Sequence, residues 1–150
     1  MENLKTFFVG SYTTPGPYVP EAKGKGILSC TLDLDTGEIC ERHLYKEVIN
    51  STYLTRDQEG HLFAACDNFD KTGEVRVFNI LEDTSLQYLS GQSSHGTSSC
   101  HIEYDPDRNL IFISSYSNGQ LSIHRFEGLS LSPIPQILSY NGNGPNVTRQ

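Results

Sequence analysis

The chain has 150 residues, with 11 Lys and Arg against 18 Asp and Glu, for a formal net charge of −7. A surface this acidic has no means of releasing counterions from a phosphate backbone or adhering to anionic lipid, so no nucleic-acid and no membrane partner is expected. With 36% hydrophobic residues, 13 Gly, 7 Pro, 8 Tyr, 7 Phe and no Trp, the composition is that of short strands joined by tight turns, which is an all-β class.

From the start, Met1 to Thr13 offers only the short apolar run Phe7 to Val9, so neither a secretory leader nor a transmembrane helix is predicted and a cytoplasmic location is expected. Phe7 to Thr13 reads as a strand, and Gly26 to Asp33 as a second, alternating one. The following Asp35-Thr36-Gly37 predicts a hairpin turn, because Asx side chains and Gly supply the required backbone angles. The surrounding Asp33 to Glu38 stretch lacks the third acidic ligand and the distal Glu of a calcium loop. Tyr53 to Leu62 then runs from a strand through an Asp-initiated turn into Leu62 to Asn68, and Gly73 to Ile80 alternates again. The same succession returns as His101 to Leu110, Leu110 to Tyr116 and Gly119 to Phe126, with Asp105-Pro106-Asp107-Arg108-Asn109 as its turn.

The glycines that open the alternating strands, Gly26, Gly73 and Gly119, are 47 and 46 residues apart, and Tyr53 and His101 are separated by 48. A period of that size marks a β-propeller, whose four-stranded blades stack radially around a channel. The chain therefore reads as one incomplete propeller domain over residues 1–150, about two and three-quarter four-stranded blades. Strands B, C and D of a first blade span about 5–50, and complete blades follow at about 51–97 and about 98–145. Its uncapped blade faces and unpaired edges predict self-association.

The four cysteines, Cys30, Cys40, Cys66 and Cys100, form no CxxC pair and read as buried free thiols. Neither they nor His43, His61, His95 and His124 fall at metal-ligand spacing, and no Gly-x-Ser-x-Gly elbow is present, so no metal, no cofactor and no serine nucleophile is expected. The sequons at Asn50 and Asn146 are read as chance matches. Ligand sites of propellers gather at the channel mouth, where innermost strands begin. That makes His101 the candidate catalytic acid or base and Tyr53, its counterpart one blade earlier, a candidate substrate contact. Arg149 is the candidate partner for an anionic substrate, because guanidinium presents a planar fork to phosphate or carboxylate. The segment Asn141 to Pro145, without a following helix, reads as a loop between blades.

The succession FVGSYT, KGI, LDLDTGEI, SCHIEYD and NGNGPNVTRQ resembles the seven-bladed lactonase family typified by 6-phosphogluconolactonase, over essentially the whole chain. The resemblance implies a seven-bladed ring more than twice this length and metal-free hydrolysis of a sugar lactone such as 6-phosphogluconolactone, a step of the pentose phosphate pathway. A histidine would activate water and an arginine steady the substrate's negative charge. It also implies that a histidine pair opening the fourth blade would follow Gln150. The alternative is a truncated, non-catalytic propeller fragment or binding scaffold with the same architecture.

Overall fold

The computed structural model describes residues 3–69, 71–133 and 136–146, and every element among them is a strand. Three antiparallel sheets follow one another along the chain. The first is β1 (Leu4–Val9), β2 (Ile27–Asp33) and β3 (Ile39–Tyr45); the second is β4 (Ser51–Arg56), β5 (His61–Asn68), β6 (Lys71–Ile80) and β7 (Leu86–Thr97). The third is β8 (Ser99–Asp105), β9 (Leu110–Ser115) and β10 (Gln120–Glu127). Its outer edge is shared by two short pieces, β11 (Ser130–Leu131) and β12 (Gln136–Ser139), which pair with opposite ends of β10.

The near-continuous apolar run of β5 has a direct packing cause. Leu62, Ala64 and Cys66 join Ile27, Val48 and Phe78 in a core facing the first sheet. The intervening Phe63 and Ala65 join Ile102, Ile111, Ile113 and Phe126 in a core facing the third. A strand whose alternating residues are claimed by a neighbour on each side has no position for a polar residue in its middle. Phe63, fully buried, stacks on Tyr104 at 4.9 Å and meets the edge of Phe126 at 5.1 Å. Burial of such a ring contributes about 1.5–3 kcal/mol.

The turns use aspartate differently from the expectation at Asp35. Asp33 is the capping residue: its Oδ1 accepts from the amides of Asp35 at 2.8 Å and Thr36 at 3.1 Å. Asp57 and Asp105 do the same one and two sheets later, each accepting two backbone amides. The first strand also departs from expectation, ending at Val9 rather than Thr13. Beyond it the chain is drawn to the second sheet, where Ser11 donates its amide to Ser51 Oγ at 3.2 Å and Thr13 donates its amide to Asn50 Oδ1 at 2.9 Å.

Pairing fixes the true equivalence of the repeats. Tyr53 lies opposite Ala65 and His101 opposite Ser114, so Leu62 corresponds to Ile111 rather than Leu110, because the later turn is one residue longer. Gly26 and Gly119 both open their strands in the left-handed region, at φ 137° and 55°. A Cβ on either would strike a backbone carbonyl oxygen, that of Tyr45 at the end of β3 at 1.9 Å and that of Tyr140 just after β12 at 2.7 Å.

Candidate functional site

The two innermost strands, β4 and β8, lie side by side, and each begins with the same local device. The residue before the strand, Asn50 or Ser98, holds positive φ (41° and 56°). Its carbonyl accepts the amide at the end of the neighbouring strand, from Asp67 at 2.9 Å and from Tyr116 at 3.0 Å. One bulge follows in each strand, between Ser51 and Tyr53 and between Ser99 and His101. The residue inside the bulge braces it: Thr52 Oγ1 donates to the Ala65 carbonyl at 3.2 Å, and Cys100 Sγ donates to the equivalent Ser114 carbonyl at 3.6 Å. Thr52 Oγ1 also lies 2.7 Å from the Ser99 carbonyl, tying the two strands together.

A bulge re-aims the side chain that follows it. Here it brings together two residues that sequence periodicity had placed as equivalents: the rings of Tyr53 and His101 sit 4.4 Å apart, tilted by 47°. Tyr53 is 44% exposed, and His101 is half-buried beside it. An imidazole held against a phenol by its strand start can take up or release a proton beside a polar ring. Arg149, the third candidate, lies outside the described residues.

A cleft of about 910 Å³ opens next to these strand starts. Its walls include Tyr12 and Tyr18 from the β1–β2 connection, Asp67 at the end of β5, Cys100 at the start of β8, Tyr116 after β9, and Tyr140 after β12. The Asn141 to Pro145 segment, read as a loop, contributes Asn141, Gly142 and Gly144. Asp67 was not singled out by sequence reasoning; its signal is a carboxylate closing the apolar run Phe63 to Cys66. It is 5% exposed, and burial pushes its carboxyl above the ordinary range against the opposing effect of the Phe69 amide bond. Burial and the Asp67 charge together raise the Tyr12 hydroxyl, which donates to Asp67 Oδ2 at 3.4 Å.

Three other sequence features resolve differently. Cys30 and Cys66 are buried, and burial pushes the Cys66 thiol up to about 12, but Cys40 and Cys100 are exposed rather than buried, and neither belongs to the two cores. Asn50 is fully buried, with its Oδ1 accepting from Thr13 and Thr14, so its sequon presents no amide to solvent. Asp57, Glu59 and His61 bring potential ligand atoms within 4.8 Å of one another. Both Asp57 oxygens are committed, however, Oδ1 to two amides and Oδ2 to His61 Nδ1 at 2.6 Å. The matching turn one sheet later is braced instead by Arg108 on Asp105 at 2.9 Å, which marks the trio as a turn brace.

Comparison with known proteins bears on the family and the fold. A 6-phosphogluconolactonase of Bacillus subtilis is 25% identical over 146 residues, covering 95% of this chain and 40% of that protein. An uncharacterised Lactococcus lactis protein is 26% identical over 121 residues, covering 81% of this chain and 35% of its own length. The chain thus spans well under half the length of the curated relatives it matches. Among solved structures, a Bacteroides fragilis protein described as a candidate 6-phosphogluconolactonase superposes with a TM-score of 0.86 at 24% identity, covering 99% of this chain and 40% of that one. The periplasmic gluconolactonase of Pseudomonas aeruginosa superposes with a TM-score of 0.79 at 21% identity, covering 91% and 39%. At these identities the superpositions speak to fold, and they agree with the three stacked sheets. The family model for lactonases with a seven-bladed β-propeller matches residues 6–150, and the chain belongs to that family.

Proposed function

We propose that this chain forms the amino-terminal part of a lactonase that opens a sugar lactone, with 6-phosphogluconolactone as the leading substrate. The observation that supports the reading is the Tyr53–His101 pair, set 4.4 Å apart by matched bulges at the starts of the innermost strands. In this reading the His101 imidazole takes a proton from water as the water oxygen attacks the lactone carbonyl. The ring C–O bond breaks, the ring oxygen leaves with the pair of electrons and receives a proton, and the product is the open hydroxy acid. Tyr53 orients the imidazole and offers a hydroxyl to the substrate, and Arg149 pairs with its anionic group. No cofactor is needed for these steps.

Acid release from 6-phosphogluconolactone, followed at constant pH, tests the reading. It is to be measured for the chain alone and mixed with the portion of the Bacillus subtilis relative beyond the matched region, since the chain covers 40% of that protein. Release faster than the spontaneous opening in either sample is expected. Spontaneous rates in both would contradict the reading and leave a binding scaffold.

A further inference from the structure

The chemistry of the cleft beside β8 differs from that of the Tyr53–His101 pair. Tyrosine supplies four walls, Tyr12, Tyr18, Tyr116 and Tyr140, and three of them are strongly exposed, at 79% for Tyr18, 52% for Tyr116 and 65% for Tyr140. Large exposed aromatic rings around one concavity are costly to leave in water and give flat faces for the C–H surfaces of a ring or carbon chain. The volume of about 910 Å³ lies within the range of small-molecule sites.

The floor is polar and is built. Asp67, 5% exposed, is held by the Phe69 amide on Oδ1 at 2.8 Å, by the Tyr12 hydroxyl on Oδ2 at 3.4 Å and by the Asn68 amide. Tyr12 is itself held by stacking on Phe69 at 5.8 Å and an interplanar angle of 16°. A carboxylate has about four lone-pair sites, so three donors leave acceptor capacity on a group that lines the cleft. The Ser98 and Ser117 hydroxyls, 2.7 Å apart, lie on the same wall. A fixed carboxylate favours ligands that donate hydroxyl hydrogens and repels anions.

We propose that this cleft is a polyol site: tyrosine faces stack on the carbon chain or ring of a neutral polyhydroxylated ligand while Asp67 accepts its hydroxyls. In naming a sugar the inference rests on the lactonase reading, and it assigns to the cleft the uncharged hydroxyl-bearing portion of the substrate. Any phosphate would be held elsewhere, away from the Asp67 charge.

D-glucitol is the probe, because it carries the hydroxyls of a sugar and no ester to hydrolyse. Titrated into the isotopically labelled chain and followed by amide chemical shifts, it is expected to saturate in the millimolar range, with the largest shifts around Asp67, Cys100 and Tyr140. Asp67→Asn, which keeps the shape and loses the charge, is expected to weaken binding about tenfold. Tyr140→Ala, an exposed position whose loss leaves the cores intact, is expected to weaken it as well. Absence of saturation, or either variant binding as tightly as the wild type, overturns the polyol site. Glucitol binding without lactone hydrolysis would sink the lactonase reading alone. Hydrolysis with KM unchanged in both variants would sink the cleft alone.

Discussion

His124 shows how a single burial sets a pH response. It is fully buried in β10, with its Nδ1–H donating to the Ser132 carbonyl at 3.0 Å and the His95 ring 6.4 Å away. Burial holds its pKa below the ordinary 6.5, and the neighbouring His95 pushes in the same direction. The unfolded chain therefore binds a proton near 6.5 that the folded chain resists, so stability present above that pH is lost as pH falls through the folded value. Thermal midpoints should drop on acidification below 6.5, and His124→Gln should flatten that part of the drop. A wild-type midpoint unchanged over this interval would contradict the assignment. The cysteines give a second check. Cys40 and Cys100 are exposed whereas Cys30 and Cys66 are buried, with the Cys66 thiol pushed up to about 12. A thiol reagent should thus modify two cysteines in the native chain, Cys100 more slowly because burial and Asp67 raise its thiol, and the remaining two only on unfolding.

At the scale of the element, the glycine-led strands were legible because glycine there answers a backbone requirement that recurs with the repeat. Gly26→Ala must place a Cβ 1.9 Å from the Tyr45 carbonyl and hold a left-handed φ, and Gly119→Ala faces the Tyr140 carbonyl at 2.7 Å. Each should cost about 1–3 kcal/mol in urea unfolding, with Gly26 the larger. Equal stability of Gly26→Ala and wild type would mean that the strand opening is not held as described. Phe63→Ala, in the core between the second and third sheets, should cost about 3–5 kcal/mol. The equivalence of Tyr53 and His101 was also visible, since both begin a strand at one spacing. Their contact was not, because it depends on the two bulges, whose extra residues shift the alternation of side chains at places that only the strand pairing reveals. The cleft was hidden for a related reason: Tyr12, Asp67, Cys100 and Tyr140 lie far apart in sequence and meet only where three connections converge.

For the whole molecule, the repeat period conveyed an all-β propeller fold, and the family match over residues 6–150 agrees with it. Among the described residues β1 pairs on one side alone, and Val9, Ile137 and Leu138 are 44%, 42% and 37% exposed. Such edges and faces recruit partners, so we propose that the chain self-associates, with light scattering expected to give a mass above 16.7 kDa that Leu138→Lys lowers. A monodisperse species of the single-chain mass would contradict this. The central claim concerns the Tyr53–His101 pair, and lactone hydrolysis by His101→Asn, assayed under the conditions in which the wild type is active and alongside its thermal midpoint, tests it most directly. The account predicts a loss of about 10²–10⁴ in kcat with the midpoint nearly unchanged; a variant as active as the wild type would contradict it.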